Sequence, residues 1–187
     1  MVRNGLLALL ERGPMYGYQL RAEFEASTGA TWPLNVGQVY TTLARLERDG
    51  CVEPVASDEE GRVTYRITGA GRDEVAQWFA TPVQRESRPR DELAIKLAMA
   101  ITTPGVDAHR VIQTQRTATL RSLQDLTRLK AGANEARDAA WLLVLESMIF
   151  QAEAEIRWLD HCEVRVSSFP SAPSVDAPAP SPSEVIR

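Results

Sequence analysis

Between Asn35 and Ile67 the apolar positions change period, from helical to alternating. Val39, Leu43 and Leu46 recur at i, i+4 and i+7, which predicts one buried face of a helix. Gln38, Thr41 and Arg45 fall on the opposite side of that helix. Asn35 followed by Gln38 three residues later reads as a capping box that starts it, and Gly50 supplies the left-handed residue that ends it. Val63, Tyr65 and Ile67 then alternate with Arg62, Thr64 and Arg66, the pattern of a strand with one apolar face and one bearing arginines. Cys51–Val55 is its natural partner strand across a turn at residues 58–61, and Pro54, lacking an N–H, points to an outer or irregular position.

The remaining pattern is helical. Leu6, Leu7, Leu9 and Leu10 predict a short, almost wholly buried helix, stopped by Arg12-Gly13-Pro14. Leu20 and Phe24 form the inner pair of a helix from about Tyr16 to Ser27, and Trp32 is expected to plug the core at the following turn. Thr68 is a good N-cap for a helix over residues 69–79 with Val75, Trp78 and Phe79 as its apolar face. Residues 81–89 lose periodicity and mark a domain boundary. Beyond it, Leu93, Leu97 and Ile101 stripe a helix that opens at Pro89-Arg90-Asp91, and long helices are expected over 107–130 and 135–163. The last carries Leu142, Leu145, Met148, Ile149, Ala152, Ile156 and Leu159, too wide a stripe for one helical partner. Burial by both an intrachain helix and a second subunit accounts for it. The Pro/Ala/Ser-rich tail, residues 166–187, cannot bury a core and reads as disordered.

Composition narrows the function. Among 187 residues there is no apolar run long enough for a bilayer and no charged-then-apolar leader, so a cytoplasmic protein with no membrane partner is expected. Two cysteines and two histidines, far apart, offer neither a disulfide framework nor a metal site. There is no phosphate loop, nucleophile elbow or acid–histidine constellation, so no catalysis and no cofactor are expected. Residues 1–80 carry eight arginines, no lysine and eleven acids, a net charge of −3. That balance opposes phosphate binding unless the arginines share one face.

A helix presenting Gln, Thr and Arg, followed by an arginine-bearing hairpin, is what a winged helix-turn-helix needs: the helix enters the major groove and the wing meets phosphates. The same pattern also fits an amphipathic helix on a small sheet with a solvated face. Three motifs distinguish the readings. Pro14-x-Tyr16-Gly17-Tyr18-x-Leu20, Gly37-x-x-Tyr40-x-x-Leu43-x-x-Leu46-Glu47-x-x-Gly50 and Arg62-x-x-Tyr65-x-x-Thr68-x-x-Gly71 occur in the order and spacing of the PadR family of transcriptional regulators, which residues 4–80 resemble closely. Thr42 departs from relatives that carry proline nearby and leaves the helix intact.

The expected fold is therefore mainly α: a winged helix-turn-helix domain with a two-stranded wing over residues 1–82, then a helical dimerisation and effector domain over 89–165. The resemblance implies a dimeric repressor on a palindromic, double-stranded operator, released by a small molecule. Gln38, Thr41 and Arg45 are expected at bases, and Asn35, Tyr40, Thr42, Arg62 and Arg66 at the DNA backbone. Leu93 and Leu97 join the apolar positions of the last helix as the expected dimer interface. Trp78, Trp141 and Trp158 are candidates for a pocket holding an aromatic or hydrophobic effector, against the simpler reading that aromatics at helical spacing are core. The alternative function is a small-molecule sensor whose DNA contact is secondary.

Overall fold

The computed structural model describes residues 2–57, 61–83 and 91–168. Its elements are α1 (Val2–Leu10), β1 (Met15–Tyr16), α2 (Gly17–Thr28), α3 (Val36–Arg48), β2 (Val52–Ser57), β3 (Val63–Ile67), α4 (Gly69–Ala80), α5 (Glu92–Thr102), α6 (Ala108–Gly132) and α7 (Ala139–Ser167). They form two compact units: one comprises α1 to α4 with the sheet and residues 133–145, the other α5, α6 and α7 from Glu146 on. The wing tip at residues 58–60, most of the expected boundary segment, and the tail from Phe169 lie outside the described residues.

The first unit is built around leucines. Leu6, Leu7, Leu10, Leu20, Val39, Leu43 and Leu46 are almost fully buried, with Phe24, Leu34, Val52, Ile67 and Val75 around them. Each contributes about 2 kcal/mol by leaving water, so the core of this small unit is made by helical stripes meeting face to face. Asn35 caps α3, its Oδ1 accepting from Gly37 N at 2.8 Å. The expected reciprocal box with Gln38 does not form; Gln38 stays exposed and only its backbone N–H returns, to the Asn35 carbonyl. Gly50 follows the helix with φ +73°, and Cys51 N–H bonds the Leu46 carbonyl.

The sheet has three strands, ordered β1-β3-β2, all antiparallel, where the sequence predicts two. Two residues carry no alternation, so β1 is invisible to periodicity; it exists because Met15 and Tyr16 find free ladder positions opposite Tyr65 and Thr64. β2 is an edge strand, which tolerates a proline, and its register slips between Pro54 and Ala56. Thr68 joins the wing to α4: its N–H bonds the Cys51 carbonyl, its hydroxyl donates to Gly50 O at 2.7 Å, and the same oxygen accepts from Gly71 N.

Four expectations change here. Trp32 is 47 % exposed and plugs nothing, because Leu34 fills that end of the core. Phe79 is 70 % exposed, leaving Val75 as the buried residue of the α4 face. The last helix starts at Ala139 rather than near 135, since Asn134 Oδ1 captures the N–H groups of Ala136 and Arg137 in a turn. It also runs through Ser167, so Val166 and Ser167 are helical rather than tail.

In the second unit Leu97, Ile112 and Leu159 form a buried centre, with Leu93, Val111, Trp158, Cys162 and Val166 packed on it. Leu145, at the edge of the first unit, is also fully buried. Leu97, Leu145 and Leu159 are thus satisfied inside one chain and leave the surface assigned to a partner subunit. Among the described residues no helix is long and apolar enough to cross a membrane.

Candidate nucleic-acid interface

α3 turns Val39, Leu43 and Leu46 into the core and leaves Gln38, Thr41 and Arg45 exposed, along with Gly37, Ala44 and Glu47. Exposed residues three and four apart lie side by side, so Gln38, Thr41 and Arg45 make one polar strip along the helix. Thr42 is half-buried, and its hydroxyl donates to Gln38 O at 2.7 Å, an intrahelical bond that occupies its donor. The cap likewise occupies Asn35 Oδ1.

An aromatic platform flanks the strip. The Tyr40 ring lies over Gly17, where an added Cβ would stand 2.8 Å from Cζ. Tyr18, 53 % exposed, meets Tyr40 edge-on with centroids 6.4 Å apart. Tyr16 lies beneath the Arg62 guanidinium, 5.1 Å from its ring centre, a cation–π contact that ties the wing to the start of α2. Tyr16 and Tyr18 had no role assigned from the pattern, although Pro14-x-Tyr16-Gly17-Tyr18 was the signal that could have found them. Tyr65, on the neighbouring strand, has its phenol pushed up by burial and by the charge of Glu47.

Most arginines of the first unit are engaged by carboxylates. Arg3 donates to Glu74 at 2.7 and 2.9 Å and to Asp49 at 2.7 Å, and Arg48 also reaches Asp49. Arg12 pairs with Glu23, Arg21 with Glu25, Arg66 with Glu53 and Arg72 with Glu11. The Arg45 side chain is exposed and, among the described residues, forms no hydrogen bond or ion pair. Its acidic neighbour Asp49 is held instead by Arg3 and Arg48. The Arg3 guanidinium draws the carboxyls of Glu74 and Asp49 below their ordinary values, while burial and Glu74 push the Cys51 thiol up.

The candidate effector tryptophans take separate places. Trp78 tilts against its neighbour Phe79 on α4. Trp141 lies against Gly29 in the first unit, and Trp158 packs on the core of the second. The second unit contains a small apolar pocket of about 70 Å³ lined by Leu97, Ile101, Ala108, Ile112, Cys162 and Val166, with Arg165 at its wall. Among the described residues no cluster of His, Cys, Asp or Glu is arranged to hold a metal ion.

A helix with a free polar strip, set against a helical pair and flanked by an antiparallel hairpin, defines a winged helix-turn-helix unit. Residues 6–77 match the transcriptional regulator PadR-like family and residues 89–166 match the virulence activator alpha C-terminal family, so the chain carries a PadR-like domain and is a transcriptional regulator of that type. It is 28 % identical over 173 residues to the probable transcriptional regulator Rv1176c of Mycobacterium tuberculosis, covering 83 % of this chain and 91 % of the relative. Bacillus subtilis PadR, solved with operator DNA and with p-coumaric acid, superposes with TM-scores of 0.65 and 0.71 at 19 and 20 % identity. These cover 87 and 89 % of this chain and 96 and 99 % of the other. The virulence activator AphA of Vibrio cholerae gives 0.64 at 22 % identity, covering 89 % of this chain and 98 % of that one.

Proposed function

We propose that this protein is a sequence-specific, homodimeric repressor that binds a two-fold symmetric operator and is released by a small hydrophobic or aromatic effector. The observation that carries the reading is the α3 strip of Gln38, Thr41 and Arg45, exposed and with the Arg45 guanidinium uncommitted. Arg and Gln are the side chains that grip purine edges bidentately in the major groove. Residues 1–82 bind DNA in this reading, Asn35 through its amide N–H, Tyr40, Arg62 and Arg66 positioning the strip through backbone contacts, while the Thr42 hydroxyl stays with Gln38 O. Tyr18, exposed and edge-on to Tyr40, joins them.

Residues 89–165 supply dimerisation. Leu143, Phe150 and Val164 are 71, 66 and 70 % exposed and recur at multiples of seven along α7, an apolar line that single-chain packing leaves in water. Leu93, Leu142, Met148, Ile149, Ala152 and Ile156, all half-buried, extend it. A two-fold dimer sets its recognition helices at successive major grooves, about 34 Å apart. Effector release is supported by the p-coumaric acid complex of the Bacillus subtilis protein. Such a regulator works in the cytoplasm.

The test is selection from fragmented genomic DNA by the purified protein over a salt series. Recovery of one enriched, two-fold symmetric sequence is expected. Flat recovery at every salt would overturn the reading and favour a sensor whose function lies in the second unit.

A further inference from the structure

Resting on the DNA-binding reading, we propose that Glu53 is a specificity residue of the wing: it holds Arg66 in an intramolecular ion pair and so withholds a phosphate contact from DNA of arbitrary sequence. Glu53 and Arg66 stand directly opposite each other in the β2–β3 ladder, so their side chains share one face of the hairpin. Arg66 Nε and Nη2 both donate to Glu53 Oε1, at 3.1 and 2.6 Å, with the two side chains about half exposed. The Nε–Nη2 edge is one that an arginine offers to a phosphate bidentately, so carboxylate and phosphate compete for the same donors.

The competition acts unequally on right and wrong DNA. Binding to arbitrary sequence is almost wholly phosphate contact and counter-ion release, so each arginine engaged by a carboxylate lowers it directly. Binding to a matched operator adds base-edge contacts from Gln38, Thr41 and Arg45 on α3, none of which Glu53 touches. An exposed ion pair is worth up to about 1 kcal/mol. A phosphate fixed in place by base contacts displaces it; a passing one on unmatched DNA does so less often. The arrangement extends beyond the wing. Arg72 with Glu11, Arg12 with Glu23 and Arg3 with Glu74 and Asp49 are likewise engaged by carboxylates.

The experiment titrates the full-length protein against a short mixed-sequence duplex and against a fragment it selects from genomic DNA, over a monovalent salt series. Glu53→Gln should tighten mixed-sequence binding about two- to fivefold per wing. It should also steepen the log–log salt slope by about one per wing, and narrow the ratio of specific to non-specific affinity. The double variant E53Q/R66A should lose the gain. Unchanged affinity and slope in E53Q, or a gain that persists in E53Q/R66A, overturns the proposal. Failure to select any genomic fragment contradicts the sequence-specific reading itself, and with it a role in specificity, while the mixed-sequence arm still reads the release of Arg66 by itself.

Discussion

The ring of Tyr40 lies on the bare backbone of Gly17: a Cβ at that glycine would stand 2.8 Å from Cζ and 2.9 Å from Cε1, closer than real Cβ atoms approach. The glycine of the Tyr16-Gly17-Tyr18 motif is there because α3 lays an aromatic ring across the start of α2. The contact fixes the angle at which the polar strip of α3 is presented.

Gly17→Ala should therefore swing Tyr40 outward and weaken operator binding by about 1 kcal/mol, the scale of one lost hydrogen bond. Tyr40→Phe keeps the ring and removes only the hydroxyl. If the phenol contacts a phosphate, both variants weaken binding to all sequences alike, read by fluorescence anisotropy. G17A with unchanged affinity would show that the ring's placement does not matter to DNA.

Leu43 and Leu46 hold α3 to the leucine core and are fully buried. Leu43→Ala should destabilise the first unit by about 2–5 kcal/mol, the range for a truncated buried leucine, measured by chemical denaturation. A loss below about 1 kcal/mol would mean that the α3 stripe is not buried as described.

Arg3 links α1, the end of α3 and α4 through Glu74 and Asp49, and both carboxyls are held below their ordinary values, Arg3 being the largest cause. A depressed folded-state value contributes stability above the unfolded value, near pH 4, and that stability is lost as pH falls through the folded value. Arg3→Gln should therefore be less stable than the native protein at neutral pH. The difference should shrink below about pH 4, as thermal melts across pH would show. A difference independent of pH would contradict the assignment.

Phe150, two-thirds exposed on α7, tests the dimer. Phe150→Glu should yield monomer by sedimentation velocity, with the melting of the first unit unchanged. A dimer that survives this change and also Leu143→Glu would place the interface elsewhere.

Much of this fold was legible in the chain because most elements carry their own period. Val39, Leu43 and Leu46 declared the α3 core face, and Thr68 and Gly50 marked the ends of the wing unit. β1 was not legible, since two residues have no period and depend on a strand nearly fifty positions away. Nor could the pattern separate Leu97, Leu145 and Leu159 from the half-buried residues beside them: a wide stripe says that burial is needed, not by which partner. The exposed strip of Gln38, Thr41 and Arg45 followed from helical spacing alone. The engagement of the other arginines did not, because Glu53 meets Arg66 through ladder register and Glu11 meets Arg72 through tertiary packing. Counting charges gave the sign of the unit's balance and missed that its carboxylates sit on its arginines.

In the proposed function α3 reads bases through Arg45. The direct measurement is the affinity of Arg45→Ala and native protein for the selected operator, for its single-base variants and for mixed-sequence DNA, at one salt concentration. Arg45→Ala should lose about 1–3 kcal/mol on the operator, relax the preference at one base-pair position in each half-site, and change little on mixed sequence. Equal weakening on every sequence, or no change on the operator, would contradict it.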